Sequence, residues 1–367
     1  AVSIAAVSGR KIGLMQRSTM QEAIAAPNVG GIVRRTKFIL KTAIFVELIG
    51  AAILAPVFCR DFGFFKGIWY ALFHSISAFC NAGIDILGAN SLEGYQADPY
   101  INLVTILLII VSGLGFLVWR DLTLTAKRIW KKEHPVGRAL QKMRLHTKLA
   151  LSMTGFLLII GTVAIFAMEY TNPRTLGTMT TGQKWIASLF QAVTTRTAGF
   201  FTIPQDHFLP QSQLLSCMLM FIGGSPGGTA GGVKTTTIAI LAATCWSVLK
   251  GSEDTECFRR KILPVNIRTG FSVAAVSFSA VLLGTMALLI MEHTGLIEAL
   301  YEVVSAVGTV GLTAGLTPSL SSAGKCVIIL LMYMGRLSPV TLAFLFAGKM
   351  GRRGKGRKLP EERIMVG

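Results

Sequence analysis

GIWYALFHSISAFCNAGIDILGAN, residues 67–90, is the stretch that decides the fold of this chain. It lies between two apolar stretches, 38–58 and 101–119, and is too polar and too short to cross a membrane and return as two helices. Its pattern predicts a short amphipathic helix over 68–79, followed by a turn of small residues. We therefore expect a unit made of a span, a half-helix, a glycine loop and a second span.

The same pattern occurs twice more, in KWIASLFQAVTTRTAGF (184–200) and IEALYEVVSAVGTVGL (297–312). In each copy an aromatic residue precedes a glycine by nine or ten positions; the pairs are Phe73 and Gly83, Phe190 and Gly199, and Tyr301 and Gly311. The three glycines lie 116 and 112 residues apart, a period typical of repeats in membrane proteins. The chain is thus predicted to contain three copies of one unit.

The composition agrees with a membrane protein. The chain has 367 residues, a mean hydropathy of +0.58 and 15% charged residues, whereas soluble domains carry about 25%. Further apolar stretches long enough to span a bilayer occur at 147–168, 269–291 and 325–347. The alternating polarity of barrel strands is absent, so we expect an all-α integral membrane protein.

The net charge of +18 is distributed in blocks. Residues 1–41, 120–148, 249–268 and 349–367 together hold 28 of the 36 lysines and arginines. Alternation of basic and neutral loops predicts that the basic ones face the cytoplasm, together with the C-terminus. The charge is therefore interpreted as topology and lipid contact, and not as nucleic-acid binding.

A second glycine-rich segment, GGSPGGTAGGVKTTT (223–237), interrupts the apolar stretch 212–249. Six glycines and a proline within 223–232 cannot form a straight helix, so we expect a break at mid-depth. A phosphate-binding loop is the alternative, but it requires adjacent Gly and Lys, and Val233 intervenes here. The six scattered cysteines indicate neither a zinc site nor a disulfide framework.

A non-helical loop at membrane depth is tolerated where it lines a cavity, and rings of backbone carbonyls can replace the hydration shell of a cation. In this setting SAFCNAGIDILG (77–88), TTRTAGF (194–200) and SAVGTVGLT (305–313) resemble the filter segments of the Trk/Ktr/HKT potassium transporters. The segment 223–237 resembles their gating loop and GRLSPVTL (335–342) their last inner helix. NAGID and DPYINL (98–103) are most similar to the Ktr type.

The resemblance implies a potassium-channel-like fold and assigns site residues. The expected filter carbonyls are those of Asn81, Ala82, Gly83, Thr197, Ala198, Gly199, Thr309, Val310 and Gly311. The expected gate consists of Gly223, Gly224, Gly227, Gly228, Gly231, Gly232, Lys234 and Arg336. Arg196 is expected to support the filter through hydrogen bonds, because a cation in the filter itself would repel potassium.

The resemblance also implies boundaries. They are 1–37 for the end of a first repeat and a cytoplasmic linker, 38–146 for the second repeat (filter 80–85), 147–268 for the third (filter 197–200), 269–348 for the fourth (filter 309–312), and 349–367 for a basic cytoplasmic tail. Family members carry four repeats and this chain shows three, so we expect an N-terminal truncation with another filter about 30 residues before Ala1. In the family that this chain resembles, glycine in all four filters accompanies potassium selectivity, and serine in the first accompanies sodium.

The expected function is uptake of K⁺ across the bacterial plasma membrane, with Na⁺ dependence left open and no enzymatic activity or cofactor. The resemblance further implies a homodimer on a cytosolic nucleotide-binding regulatory subunit. Two alternatives remain: a membrane protein that binds nucleotide through GGTAGGVKT, and a secondary transporter of another solute.

Overall fold

The computed structural model describes residues 32–88, 90–133 and 135–337, and in these ranges the chain is mainly helical. The helices are α1 (Ile32–Phe62), α2 (Phe64–Phe79), α3 (Pro99–Gly113), α4 (Phe116–Trp130), α5 (Val136–Gln141), α6 (Leu145–Glu169), α7 (Thr181–Thr194), α8 (Pro210–Phe221), α9 (Thr235–Leu249), α10 (Pro264–Met291), α11 (Leu296–Gly308) and α12 (Ser322–Arg336). Residues 1–31 of the predicted first segment and the predicted tail 349–367 lie outside the described residues.

Within the described ranges, three helices are long and apolar enough to cross a membrane, namely α1 over Thr36–Phe62, α6 and α10. They confirm the spans predicted at 38–58, 147–168 and 269–291. Helix α12 covers the first part of the span predicted at 325–347, whose residues 338–347 are not among those described.

The apolar stretch predicted as a span over 101–119 is broken into two helices. Helix α3 ends at Gly113, α4 begins at Phe116, and the two axes meet at 97°. The turn passes through Gly115, whose φ of 85° suits a residue without Cβ. The predicted all-α class agrees with the mainly helical structure, in which one short antiparallel hairpin of β1 (Glu256–Cys257) and β2 (Arg260–Lys261) joins α9 to α10.

The short helices α2, α7 and α11 each pack against a long helix and end in a glycine-containing loop. The amphipathic helix predicted at 68–79 is confirmed, and α2 begins four residues earlier. Of the repeated aromatics, Phe190 and Tyr301 are each 1% exposed, and Phe73 is partly buried. Burial of these apolar faces, worth about 25 cal/mol per Å² of apolar surface, fixes the direction in which each short helix delivers its loop.

Three clusters of buried side chains surround the loops. One joins α1, α2, α3 and α7 around Phe58 and Phe200. A second joins α6, α7 and α8, and a third joins α8, α10, α11 and α12 around Tyr301. Helices α7 and α8 each belong to two clusters, so the three loops are held in one continuous packing arrangement.

Candidate ion-conduction site

The three glycine loops share one backbone conformation. In each of them a residue with positive φ is followed two positions later by a glycine with positive φ. The φ values are 50° and 63° for Asn81 and Gly83, 71° and 90° for Thr197 and Gly199, and 54° and 92° for Thr309 and Gly311. Because non-glycine residues seldom adopt positive φ, its occurrence at the same place in three loops indicates a common functional geometry.

The loops meet at their glycines. A Cβ added at Gly83 would overlap the carbonyl oxygen of Ala198, and one added at Gly199 would lie 2.6 Å from the carbonyl oxygen of Val310. A Cβ at Gly311 would lie 3.8 Å from the Gly199 Cα. The structure therefore brings the predicted filter residues of all three loops together, and carbonyl oxygens of two loops point at the neighbouring loop.

Side chains of the short helices hold the ends of the first two loops. The Ser77 hydroxyl donates to the Ile84 carbonyl at 2.6 Å and accepts the Ile84 N–H at 3.0 Å. The Thr194 hydroxyl donates to the Phe200 carbonyl at 2.5 Å. Both bonds fix the residue that follows the loop glycine, so the preceding carbonyls have little freedom to turn away.

The third loop is held by a buried carboxylate. Glu302, 4% exposed, accepts hydrogen bonds from the hydroxyl of Thr313 and from the hydroxyl of Thr317 at 2.7 Å. The Thr317 N–H adds a bond of 3.3 Å to the same carboxylate. Several donors on one buried carboxylate make this connection stronger than a single neutral hydrogen bond.

A buried amide network behind the loops was not predicted from the sequence. The Gln205 Oε1 accepts from the Gln191 Nε2 at 2.6 Å and from the Tyr301 hydroxyl at 2.8 Å. The Gln213 Nε2 donates to the Gln205 carbonyl at 3.1 Å. Because Gln191 lies on α7 and Tyr301 on α11, one side chain connects two of the short helices. The signal that could have revealed it is a glutamine within the apolar face of a half-helix.

The segment 223–237 breaks the helix as expected, between the end of α8 at Phe221 and the start of α9 at Thr235. Its two ends are joined by hydrogen bonds. The Gly223 N–H donates to the Val233 carbonyl at 2.9 Å, and the Ser225 and Thr235 hydroxyls lie 2.9 Å apart. The segment is thus a loop closed by hydrogen bonds between its two ends, and it joins α8 to α9.

The loop 223–237 directly contacts two of the three predicted filter segments. The Thr229 hydroxyl donates to the Phe79 carbonyl at 3.3 Å, at the end of α2. A Cβ at Gly231 would overlap the Thr309 side chain, and one at Gly308 would lie 2.6 Å from the Met220 carbonyl. Of the six glycines predicted as the gate, Gly231 and Gly232 therefore approach the predicted filter segment at 308–309. Gly224 and Gly228 instead approach the turn at 112–115 between α3 and α4.

The two predicted gate cations bind carbonyls of the same loop. The Lys234 Nζ donates to the carbonyls of Ala230 at 2.6 Å and Gly231 at 3.4 Å. The Arg336 Nη1 donates to the Thr229 carbonyl at 3.1 Å. Arg336 is exposed to the space beside the loop, and is not buried in the apolar packing of α12.

Arg196 lies beside the filter but does not bond to it. The side chain is 7% exposed, and its Nη2 donates to the Thr154 hydroxyl of α6 at 3.2 Å. Its Nε has no hydrogen-bond partner among the described residues. The structure therefore places this cation between the second loop, at 197–199, and the long apolar helix α6.

The break between α3 and α4 was also missed by sequence reasoning. The Ser225 N–H donates to the Gly113 carbonyl at 2.9 Å, and the Phe116 N–H donates to the Gly227 carbonyl at 3.1 Å. A Cβ at Gly115 would lie 2.7 Å from the Pro226 carbonyl. The pair of glycines around Leu114 was the available signal, since they allow one backbone to approach another.

A family model for TrkH, described as a cation transport protein, matches residues 1–353. The chain belongs to the TrkH family of cation transport proteins. It is 40% identical over 347 residues to the Ktr system potassium uptake protein B of Bacillus subtilis, covering 95% of this chain and 75% of that protein. It is 39% identical over 366 residues to the potassium/sodium uptake protein NtpJ of Enterococcus hirae, covering 99% of this chain and 78% of that protein.

The fold of the TrkH family is found as well. The potassium transporter TrkH from Vibrio parahaemolyticus superposes with a TM-score of 0.71 at 17% identity, covering 96% of this chain and 70% of that one. Membership in the TrkH family, together with the apolar helices, makes this chain a membrane protein of a cation-transporter family and not an enzyme.

Proposed function

We propose that this chain takes up K⁺ across the bacterial plasma membrane through a filter of backbone carbonyls. The observation that carries the proposal is the convergence of three loops with the same pair of positive φ values at Gly83, Gly199 and Gly311. The names of the relatives, which are potassium and potassium/sodium uptake proteins, support the same ion.

The proposed mechanism needs no charged ligand. The carbonyls of 81–83, 197–199 and 309–311 replace water around a K⁺ ion. Helices α2, α7 and α11 end at these loops, and the negative end of each helix dipole favours a cation there. Na⁺ is the second candidate ion because one relative is named for both ions.

The loop 223–237 is the proposed gate. It fits against Phe79 and Thr309, which are the ends of two half-helices, and Arg336 holds its Thr229 carbonyl. Movement of this loop would open the path below the filter. The positive charge of Arg336 would oppose cation passage while the loop is in place.

The wider assembly is proposed on the same basis. Three span, half-helix, loop and span units, with the boundaries 38–146, 147–268 and 269–348, line one path. The basic blocks 120–148 and 249–268 and the C-terminus face the cytoplasm. A homodimer on a cytosolic nucleotide-binding regulator remains a proposal from the family resemblance.

The test is uptake of K⁺ and Na⁺ by a potassium-uptake-deficient bacterium that expresses the full-length protein. Gly311→Ser is compared with Gly315→Ser, because the two glycines have φ values of 92° and 93° and only Gly311 lies in the filter. Serine at positive φ costs about 1–2 kcal/mol at either position, but only at Gly311 does this strain act on a proposed filter carbonyl. We therefore expect K⁺ preference over Na⁺ to fall about tenfold for Gly311→Ser and to stay unchanged for Gly315→Ser.

Two results would contradict the proposal. One is failure of the wild-type protein to restore growth at low potassium. The other is equal selectivity in the two variants at equal expression. ATP binding by the purified chain without ion flux would favour the nucleotide-binding alternative.

A further inference from the structure

Helix α4 changes direction sharply from α3. It follows α3 after two residues and lies at 97° to it. With α3 along the bilayer normal, α4 therefore runs parallel to the bilayer plane. Its 15 residues, FLVWRDLTLTAKRIW, begin apolar and end basic.

The two faces of α4 differ. Val118, Asp121 and Thr125 are buried, and the Asp121 carboxylate accepts the Arg144 N–H at the start of α6 at 2.9 Å. The opposite face exposes Arg120, Leu124, Lys127 and, just after the helix, Lys131, which are three or four positions apart. One face is therefore fixed to the protein, and the other is open along its full length.

The composition of the open face fits an anionic lipid surface. Trp130 at its end is 88% exposed, and tryptophan is enriched at the level of lipid headgroups. The ion pairs formed within the described ranges involve none of the basic residues of α4. Basic residues interleaved with apolar ones on an amphipathic helix are the pattern that binds negatively charged headgroups.

The same helix is connected to the loop 223–237. Its first N–H, that of Phe116, donates to the Gly227 carbonyl, and the preceding turn accepts from Ser225 through Gly113. Gly115 leaves no space for a Cβ between the turn and the Pro226 carbonyl. Displacement of α4 therefore cannot occur without displacing the loop or breaking these contacts.

We propose that α4 binds anionic lipid headgroups and thereby holds the loop 223–237 in its position against the filter. This inference rests on the proposed function, because it requires the basic face to be cytoplasmic and the loop to gate. Lipid binding favours the orientation of α4 seen here, in which the loop contacts Phe79 and Thr309. Loss of lipid binding frees α4 and lowers the cost of moving the loop.

The first experiment measures rubidium flux through the full-length protein in vesicles without any partner protein. Vesicles contain either phosphatidylcholine alone or phosphatidylcholine with phosphatidylglycerol. Lys127→Gln/Lys131→Gln is compared with Arg259→Gln/Arg260→Gln, a pair on the exposed 256–261 hairpin that removes the same charge. The ratio of variant to wild-type flux within one lipid mixture cancels the effect of surface charge on local ion concentration.

We expect the α4 variant to conduct about threefold more than wild type in the anionic vesicles and equally in the neutral ones. The hairpin variant should match wild type in both. An α4 variant with unchanged or lower flux in anionic vesicles overturns the inference. The inference is also overturned if the α4 variant changes flux only after a partner protein is added to the vesicles. That result would assign the basic face of α4 to an acidic protein surface.

The second experiment detects the lipid contact without flux. Brominated phosphatidylglycerol should quench the fluorescence of wild type more than that of Trp130→Phe, and this difference measures the quenching of Trp130. Introducing Lys127→Gln/Lys131→Gln into both proteins should reduce the quenching of Trp130. Brominated phosphatidylcholine should show a smaller difference. Equal quenching by the two lipids overturns the inference even where flux is present, whereas absence of flux in every vesicle contradicts the proposed function alone.

Discussion

Replacement of Gln205 by leucine should destabilise the protein more than any other single change to its hydrogen-bond network. The side chain is 3% exposed, and it accepts from Gln191 at 2.6 Å and from Tyr301 at 2.8 Å. Its Nε2 donates to the Ile203 carbonyl at 2.6 Å. Leucine has a similar size but offers none of these bonds, so the Tyr301 hydroxyl, the Gln191 amide and the Ile203 carbonyl, all buried, lose these partners.

The magnitude follows from the number of groups left unpaired. Each buried polar group that loses its partner costs about 1–3 kcal/mol, so the three groups give about 3–9 kcal/mol for Gln205→Leu. Tyr301→Phe removes only one hydroxyl and leaves Gln205 bonded to Gln191, so it should cost about 1 kcal/mol. The double variant should cost less than the sum, because the unpaired tyrosine hydroxyl is then absent.

The assay is denaturation of the purified protein in detergent, followed by tryptophan fluorescence, for wild type, both single variants and the double variant. Gln141→Leu serves as the control, since Gln141 is exposed and its replacement should change the stability by less than about 0.5 kcal/mol. Equal destabilisation by Gln205→Leu and Tyr301→Phe, or strict additivity in the double variant, would refute the reasoning. Because the network joins α7 to α11, we also expect Gln205→Leu to lower K⁺ preference over Na⁺ in the fraction that folds.

Two further predictions concern the gate and the buried arginine. Deletion of 226–232 should raise rubidium flux, because it removes the Thr229 and Gly231 contacts with the filter segments. Unchanged or lost flux at normal expression would count against a gating role. Thr154→Val removes the hydroxyl bonded to Arg196 and should lower the free energy of unfolding by about 1–3 kcal/mol in the same denaturation assay. Thr123→Val, at an exposed position of α4, is the control. Equal stability of the two variants would show that the Arg196 bond contributes nothing.

The spans and half-helices were predictable because their signal is local. Apolar runs of about 20 residues have few other uses in a protein. The spans at 38–58, 147–168 and 269–291 and the half-helix at 68–79 are confirmed for this reason. The run 101–119 satisfied the same criterion, but its break was not predicted, because Gly113 and Gly115 meet the loop 223–237, which is more than 100 residues away in the chain.

Charged and polar residues of the site were predictable in kind but not in their partners. The sequence marked Arg196, Lys234 and Arg336 as unusual, since cations in apolar segments are costly. It did not indicate that Arg196 bonds to Thr154, or that the other two bind carbonyls of one loop. Gln205 gave no such signal, because a glutamine in a connecting loop has no pattern that distinguishes a buried residue from an exposed one.

The sequence by itself determined that the chain crosses a membrane and that three glycine loops of one kind lie between its spans. Hydropathy and a repeat of 112 to 116 residues are properties of the chain order alone. Only the tertiary structure decided that Gly83, Gly199 and Gly311 meet, that the segment 223–237 packs against two of their loops, and that α4 lies at 97° to α3. These features depend on contacts between distant segments, where the room for a Cβ or the partner of a hydrogen bond is set by residues that the local sequence does not contain.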